Sequence, residues 1–235
     1  MPTQRVQFNE WLPDQPDNAG GLNDALNVIP VSIGYQPFPN AVDFSGAAAE
    51  SINSVFVAKW GTEVVIFAGG ATKLFKFNNT TEALEDKSKS GGYSSTLPWK
   101  FVQFGKTVIA VNGNAIIQYW TIGTSTAWAD IATSPVARQV AVVRDFVVTG
   151  YVNTGTLGNS TVQWSDINDE TDWTAGATSQ ADNQVIADGG NIQAVTGGEF
   201  GLILLEKSIS RMSYVGSPLF FQFDNISRGL GCLNG

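Results

Sequence analysis

The fold is decided by the stretch Lys100-Phe-Val-Gln-Phe104, Thr107-Val-Ile-Ala-Val111 and Ala115-Ile-Ile-Gln-Tyr-Trp120. It contains three short runs of β-branched and aromatic residues, separated by residues that are typical of turns. Such runs, without an apolar period of about 3.6 residues, predict antiparallel strands rather than helices. The middle run is apolar throughout, which indicates a strand covered on both faces. The stretch therefore predicts a three-stranded antiparallel meander.

The same arrangement occurs four times along the chain. The units begin at Ser54, Lys100, Arg138 and Ile192, so their starts lie 38 to 54 residues apart. Candidate outer fourth strands follow at 82–85, at 127–131, in a weak segment around Trp173, and at 219–224. A repeat of roughly 40 to 50 residues that contains four strands is typical of a β-propeller blade.

The predicted fold is all-β: a β-propeller-like repeat of antiparallel three- to four-stranded sheets with an extended N-terminal arm. We expect the arm to cover residues 1–45 and the propeller-like domain, of about four blades, to cover 46–235. A β-sandwich also produces short strands at regular intervals and stays open as an alternative. Four blades rarely close a ring. We therefore expect either a longer polypeptide, of which this is the N-terminal part, or another chain that completes the ring.

The arm is rich in proline, glycine and aspartate. Proline at this density excludes a helix or a central strand and favours an extended segment that lies over a surface. Isolated large apolar residues would anchor the arm, and Trp11, Tyr35 and Phe38 are the candidate interface residues. Packing on its own domain and packing on a neighbouring subunit both stay open.

Composition excludes several function classes. The chain has 13 Lys and Arg against 21 Asp and Glu, a net charge of -8, and no histidine. A protein that grips nucleic acid needs clustered Lys and Arg to displace phosphate counterions, and no basic tract is present. The absence of histidine excludes His-dependent triads, His metal sites and His general bases. The one cysteine, Cys232, cannot form an internal disulfide.

No targeting or membrane-spanning segment is predicted. The first 30 residues have no basic region followed by an apolar core, and the longest apolar runs, near 64–71 and 202–205, are too short to cross a bilayer. We therefore expect a soluble chain that is made in a reducing compartment and is not secreted through a cleaved signal.

An acidic segment, 165–173, follows the third strand of the third unit. Its Asp166, Asp169, Glu170 and Asp172 are candidates for an acidic loop at a channel or rim, and the segment from Glu82 to Asp86 is a second candidate loop. Alternating oxygen ligands could also bind calcium, but Thr171 and Ala177 stand where an EF-hand needs glycine and glutamate. The segment also partly resembles the Asp-box turn of sialidase-like propellers. The interpretation we favour is a turn in which the carboxylates accept hydrogen bonds from nearby backbone amides, with Trp173 packed beneath.

No residues form a recognisable catalytic pattern. Carboxylates near predicted strand ends, Glu50, Glu63, Asp145 and Glu206, could pair for glycoside hydrolysis, but nothing in the sequence selects a pair. The glycine pairs precede no helix and lack the Gly-Lys-Ser/Thr of a P-loop. We therefore predict no enzyme, no catalytic residue, no metal ion and no cofactor.

Three stretches together resemble a known family. Asn23-Asp-Ala-Leu-Asn-Val-Ile-Pro30 with Tyr35-Gln-Pro-Phe-Pro39 is similar to the opening of the tail nozzle proteins, also called tail hub or packaged-DNA stabilisation proteins, of short-tailed bacteriophages. Val162-Gln-Trp-Ser-Asp-Ile-Asn-Asp169 with Asp172-Trp173, and Ile209-Ser-Arg-Met-Ser-Tyr-Val-Gly216 with Phe220-Phe221, resemble successive blade segments of the same proteins. Most of the chain is covered in order.

The resemblance implies a structural protein of the virion tail, made in the host cytoplasm. Such proteins assemble as a homo-oligomeric ring, usually hexameric, below the portal and adaptor and around the DNA exit channel. They retain the packaged genome and let double-stranded DNA pass during ejection, and a negative wall fits this role because it does not hold phosphates. A carbohydrate-binding propeller module of a tail fibre or adhesin is the alternative, and a propeller hydrolase is a third possibility.

Overall fold

The computed structural model describes residues 14, 16, 24, 26–31, 34–39, 42–95, 97–155 and 157–233. Within these residues the chain is all-β and contains eighteen strands in five antiparallel sheets. None of these residues belongs to a helix that could cross a membrane. The chain divides into two compact units, 1–44 and 45–235.

The N-terminal compact unit, 1–44, contains a two-stranded hairpin, β1 (Val28–Val31) and β2 (Gly34–Pro37). Pro30 and Pro37 are tolerated in it because both strands of a two-stranded sheet are edge strands. Within the predicted arm, Val28–Val31 and Gly34–Pro37 are therefore extended. Of the candidate interface residues, Tyr35 is half-buried in β2, Phe38 is 62% exposed, and Trp11 lies outside the described residues.

The C-terminal compact unit, 45–235, contains four sheets, and each sheet is a meander of four strands in chain order. We number them sheet 1 to sheet 4. Sheet 1 comprises β3 (Ser54–Trp60), β4 (Glu63–Gly69), β5 (Leu74–Asn78) and β6 (Ala83–Asp86). Sheet 2 comprises β7 (Lys100–Phe104), β8 (Thr107–Val111), β9 (Gln118–Thr121) and β10 (Ala129–Asp130). Sheet 3 comprises β11 (Ala137–Val143), β12 (Phe146–Val152), β13 (Thr161–Trp164) and β14 (Asp182–Val185). Sheet 4 comprises β15 (Ile192–Thr196), β16 (Gly201–Leu205), β17 (Ser208–Gly216) and β18 (Phe220–Arg228).

The sequence located four sheets and their starts, and the all-β, propeller-like prediction is confirmed. One outer strand was placed wrongly. The fourth strand of sheet 3 is Asp182–Val185, whereas the prediction put it near Trp173. Trp173 is instead buried beneath the turn after β13. All four residues of β14 are exposed, so this edge strand has no apolar pattern by which it could be recognised.

The sheets pack face to face in chain order through their second strands. Side chains alternate across a strand, so one set of residues in β8 faces sheet 1 and the other set faces sheet 3. Val108 and Ala110 belong to the core between sheets 1 and 2, while Ile109 and Val111 belong to the core between sheets 2 and 3. All five residues of β8 are buried, as the apolar pattern predicts. Full burial of one such Val or Ile side chain stabilises the fold by about 1.5 to 3 kcal/mol.

Aromatic residues fill the inter-sheet cores near the outer strands. Between sheets 1 and 2, the Phe67 ring makes edge contacts with Trp120 and Trp128, at centroid distances of 5.4 and 5.0 Å. Between sheets 3 and 4, Phe221 makes the equivalent contacts with Phe146 and Trp164, at 5.0 and 5.1 Å. The aromatic positions of the sequence repeat are therefore core positions rather than exposed binding platforms.

The first strands of the sheets lie side by side at the centre. Contacts join β3 to β7, β7 to β11, and β11 to β15. They run in the same direction, since the end of β11 pairs in parallel with the turn after β15 at Val143 and Gly198. Consequently the turns between first and second strands, and between third and fourth strands, of all four sheets lie on one side of the unit. We call this side the acidic edge for its charges, and the other side the opposite edge.

Candidate functional site

The acidic edge carries most of the unpaired negative charge of the sheets. Its turns hold seven carboxylates, Glu82, Asp145, Asp166, Asp169, Glu170, Asp172 and Glu199, and two basic residues, Lys106 and Arg144. One ion pair lies among these turn residues, between Arg144 and Glu199 at 3.7 Å. The side chains are exposed or half-buried, so the edge presents a negative field to solvent.

At the opposite edge, two lysines are neutralised by ion pairs. Lys73 and Lys89 form ion pairs with the edge-strand residues Asp86 and Asp130, at 2.6 and 2.7 Å. The hydrogen bond and charge of Asp86 raise the pKa of Lys73. Because these two cations are already paired, neither offers free positive charge to a phosphate. Lys207, in the turn between β16 and β17 at the same edge, has no ion pair among the described residues.

The acidic turn, 165–173, contributes four of the seven carboxylates. Asp169 Oδ1 accepts hydrogen bonds from the Thr171 amide and hydroxyl, at 2.8 and 2.6 Å. The hydroxyl donor, with the amide, lowers the pKa of Asp169. Asp166 Oδ1 accepts from the Gln180 amide at 2.7 Å, and Asp172 Oδ1 from the Thr174 amide at 2.9 Å. These are the side-chain to backbone bonds of the favoured turn interpretation.

Trp173 fixes the turn to the sheet from below. Its side chain is 3% exposed, and its indole Nε1 donates to the Glu170 carbonyl oxygen at 2.8 Å. The turn is therefore a built structural element in which three carboxylates are occupied by backbone amides. No cluster of three acidic or cysteine side chains that could hold a metal ion occurs among the residues that the structure describes.

Three carboxylates at this edge differ from the rest. The Glu82, Asp145 and Glu170 side chains make no hydrogen bond or ion pair within the described part of the chain. Asp145 and Glu170 lie close to each other in the fold, since the Asn168 amide donates to the Asp145 carbonyl oxygen at 2.8 Å. These three side chains carry charge without a bond to the rest of the protein, so they are free to act on a passing polyanion.

Residues 82–86 do not form the second acidic loop that the sequence suggested. Ala83–Asp86 is the outer strand β6, and its two carboxylates face lysines: Asp86 pairs with Lys73, and Glu85 with Lys87 at 3.0 Å. The hydrogen bond from Asn78, followed by that from Lys87, lowers the pKa of Glu85. Only Glu82 of this segment lies in an acidic-edge turn.

A polar chain links the first strands at the centre. The Gln103 side chain bonds both the amide and the carbonyl of Lys59, at 3.1 and 2.8 Å. Lys100 Nζ donates to the Gln139 side chain at 2.7 Å, and Gln139 in turn donates to the Gln193 carbonyl oxygen. Burial lowers the pKa of Lys100. This chain was not predicted, although the sequence shows a glutamine in the first strand of three successive repeats, at Gln103, Gln139 and Gln193.

The four carboxylates that could pair for glycoside hydrolysis do not come together at one site. Glu50 lies at the opposite edge, where its carboxylate accepts from the Thr72 and Lys73 amides at 3.0 and 2.8 Å. Glu206 is also at that edge and accepts from Asn191 at 2.9 Å. Glu63 and Asp145 instead lie at the acidic edge. The strand length between the two edges separates these two groups.

Two open clefts lie beside sheet 1. One, of about 540 Å³, is lined by the paired residues Lys73, Asp86 and Lys89 and by Tyr93, whose pKa is raised by burial. The other, of about 450 Å³, lies between sheets 1 and 2 and contains Lys76, which covers the Trp120 ring at 5.5 Å. In the first cleft the charged groups already contact protein partners. The second cleft is also lined by Glu63, whose side chain makes no hydrogen bond or ion pair among the described residues, and one such carboxylate does not form a pair for hydrolysis.

Comparison with known proteins identifies no family. No protein-family model and no curated protein matches the chain. One structural match is to a chain of the S. cerevisiae complex of Dbp5 with Nup159, Gle1, IP6 and ADP, with a TM-score of 0.44 and 8% sequence identity. The match covers 83% of this chain and 50% of that chain, so this chain spans about half the length of the yeast chain. Values this low support no inference about function.

Proposed function

We propose that this chain is a structural subunit of the tail of a short-tailed bacteriophage. Copies of it form a nozzle or hub ring below the portal and adaptor. In the tail nozzle proteins that the chain resembles, this ring usually has six copies. The ring retains the packaged genome and passes double-stranded DNA during ejection. The chain acts through protein contacts and through a wall that does not bind DNA, and it catalyses no reaction.

The observation that carries the proposal is where the resembling segments fall in the fold. Val162–Asp169 comprises most of β13 and the start of the acidic turn, while Ile209–Gly216 and Phe220–Phe221 belong to β17 and β18. Two of the three resembling stretches thus occupy the third strands and following turns of successive sheets, while the first stretch lies in the N-terminal unit. A resemblance that coincides with the structural repeat supports a shared architecture more than scattered matches would.

The charge distribution supports the same role. DNA has a high density of negative charge, and proteins hold it by contacts from Lys and Arg to phosphates. The acidic edge offers seven carboxylates against two basic residues, so it repels phosphates instead of binding them. Screening limits this repulsion to about 8 to 10 Å at physiological salt. A channel rim of this kind guides DNA without binding its phosphates.

The test reverses the charge of two carboxylates whose side chains make no hydrogen bond or ion pair among the described residues. Phage particles carrying Glu170→Lys with Asp145→Lys should assemble normally, bind DNA in a salt-sensitive way, and release their genome more slowly than wild type. Asp166, Asp169 and Asp172 are left intact because they hold the turn. The matched control is Asp188→Lys, an exposed carboxylate at the opposite edge. Ejection is followed by fluorescence of a DNA-binding dye.

Two outcomes would overturn the proposal. Normal release kinetics in the double lysine variant would show that the acidic edge does not line the DNA path. Binding of the purified, monomeric chain to glycans, without association with portal or adaptor protein, would instead favour the carbohydrate-binding alternative.

A further inference from the structure

Neighbouring sheets pack through two different faces. In each second strand, alternate residues face the preceding sheet and the following sheet. Ile109 and Val111 of sheet 2 meet Val147 of sheet 3, while Phe146 and Val148 of sheet 3 meet Ile203 of sheet 4. Each internal interface therefore joins the following face of one sheet to the preceding face of the next, and this interface occurs three times.

Sheet 1 has a preceding face with no sheet on it. Cross-strand partners share a face, so Val55 and Ala68, Val57 and Ile66, and Lys59 and Val64 all lie on it. Val55, Val57 and Val64 are 64%, 58% and 48% exposed. In sheets 2, 3 and 4 the second-strand positions of the preceding face, such as Val108, are completely buried.

Part of the same face is already covered by the chain itself. The segment 46–53 crosses sheet 1, since the Gly46 amide donates to the Glu82 carbonyl oxygen and the Asn53 amide to the Gly69 carbonyl oxygen. Phe75, on this face near the crossing, is 1% exposed. The exposed valines are thus a defined patch at the central half of the sheet, which we call the sheet 1 patch: Val55, Val57 and Val64.

Sheet 4 has the complementary free face. Leu202 and Leu204 of β16 point away from sheet 3, as do their cross-strand partners Arg211 and Ile209. Val215 lies on the same face and is 49% exposed. The Arg211 guanidinium covers the Phe200 ring at 4.5 Å beside it. We call this set the sheet 4 patch: Leu202, Leu204, Ile209, Arg211 and Val215.

Both terminal second strands carry the sequence of a strand covered on two faces. Val64-Val-Ile-Phe67 and Gly201-Leu-Ile-Leu-Leu205 are as apolar as the fully buried β8. Among the described strands, no substantial contact joins sheet 4 to sheet 1, so the two patches do not cover each other within one chain. The valines of the sheet 1 patch are exposed, whereas Leu202, Leu204 and Ile209 of the sheet 4 patch are half-buried beside the exposed Val215. Contiguous apolar residues that stay accessible to solvent mark interaction surfaces.

We propose that the sheet 4 patch of one copy packs on the sheet 1 patch of a second copy, head to tail. The occupant is a second copy because each of the three interfaces between sheets joins the following face of one sheet to the preceding face of the next. The free face of sheet 4 is a following face, and the free face of sheet 1 is a preceding face. Each copy supplies the half that its neighbour lacks. Such a heterologous contact continues from copy to copy and closes into a ring when its rotation permits. This inference rests on the proposed ring only in that copies must associate.

The test uses two variants that each block one patch. V55E/V57E places charges in the sheet 1 patch, and R211E/V215E changes the sheet 4 patch. All four positions are exposed, so both variants should keep the wild-type far-UV circular dichroism and melting temperature. The matched control is Val185→Glu, an equally exposed apolar residue on the outer strand of sheet 3.

Native mass spectrometry of the pure proteins and of an equimolar mixture decides the question. Wild type and the control should form rings, each double variant alone should be monomeric, and the mixture should form 1:1 dimers. The dimers arise because the intact sheet 4 patch of V55E/V57E fits the intact sheet 1 patch of R211E/V215E.

Different outcomes would contradict the head-to-tail contact and the proposed tail ring. Rings that persist in both double variants, or a mixture that stays monomeric, would overturn the head-to-tail contact and leave the proposed tail ring standing. Wild-type protein that stays monomeric at high concentration would overturn both.

Discussion

At the scale of single residues, polar side chains in this protein mainly satisfy the backbone. The carboxylates of the acidic turn accept hydrogen bonds from amides, and Gln103 bonds both backbone groups of Lys59. An intramolecular hydrogen bond contributes about 0.5 to 1.5 kcal/mol to the free energy of unfolding, so these bonds hold the turns in place. The spacing of acidic residues in the sequence therefore reflects turn geometry in addition to charge.

Asp169 provides a test at this scale. Replacement by alanine removes the acceptor of the Thr171 amide and hydroxyl and should lower the free energy of unfolding by about 1 kcal/mol. Glu170→Ala, in the same turn but without side-chain bonds, should change it by less than about 0.5 kcal/mol. Urea denaturation at neutral pH measures both. Equal effects of the two substitutions would contradict the assigned role of Asp169.

The contribution of Asp169 should also depend on pH. Because its pKa is lowered in the folded protein, its stabilisation is complete above the ordinary aspartate pKa of about 4 and is lost as the pH falls further. The stability difference between wild type and Asp169→Ala should therefore be constant from pH 7 to about pH 5 and shrink in stronger acid. A difference that grows as the pH falls would contradict the assigned hydrogen bonds.

Some residue roles were accessible from the sequence and others were not. The turn interpretation of 165–173 followed from residue types, because Asp and Asn bond neighbouring amides over short sequence distances. The pairing of Lys73 with Asp86, and of Lys89 with Asp130, depends on which strand lies beside which. Composition alone therefore located the acidic segments but could not tell which carboxylates were already neutralised.

At the scale of elements, glycines allow the sheets to approach. The turn after β15 packs on the end of β11, where the Gly198 amide donates to the Val142 carbonyl oxygen at 2.9 Å and the Arg144 amide to the Gly198 carbonyl oxygen at 2.8 Å. A β-carbon on Gly197 would overlap the Val142 backbone. The glycine pair is thus a contact between sheets 3 and 4 as well as a hairpin turn.

Gly197→Ala should destabilise the protein by about 1 to 3 kcal/mol, because the backbones of the two sheets must separate. The control is Gly176→Ala, where the nearest atom to an added β-carbon is 4.0 Å away. Thermal unfolding followed by circular dichroism compares the two. A melting temperature of Gly197→Ala at or above that of the control would contradict the close approach.

The position of β14 was predicted wrongly because this strand has no buried face. The sequence signal for a strand in this protein is its buried face, which β8 and β12 show clearly. β14 is an outer edge strand with four exposed residues, so only its hydrogen bonds to β13 define it. The aromatic residue that attracted the prediction, Trp173, serves the turn instead.

At the scale of the whole molecule, the repeat was predictable and its charge distribution was not. Four meanders at nearly regular spacing identified the sheets from the sequence. The parallel course of the first strands, which gathers seven carboxylates at one edge, depends on how the sheets pack and is not encoded in local patterns. The free faces of sheets 1 and 4 likewise became visible only when burial could be compared between equivalent strands.

Cryo-electron microscopy of a short-tailed phage particle that encodes this chain would show where the chain lies in the virion. If the chain is a tail nozzle subunit, copies of it form a ring immediately below the portal and adaptor, with the four-sheet unit recognisable in each copy and the acidic edge facing the DNA path. Absence of the chain from the particle, or its location in a peripheral fibre away from the DNA path, would show that it is not a nozzle subunit.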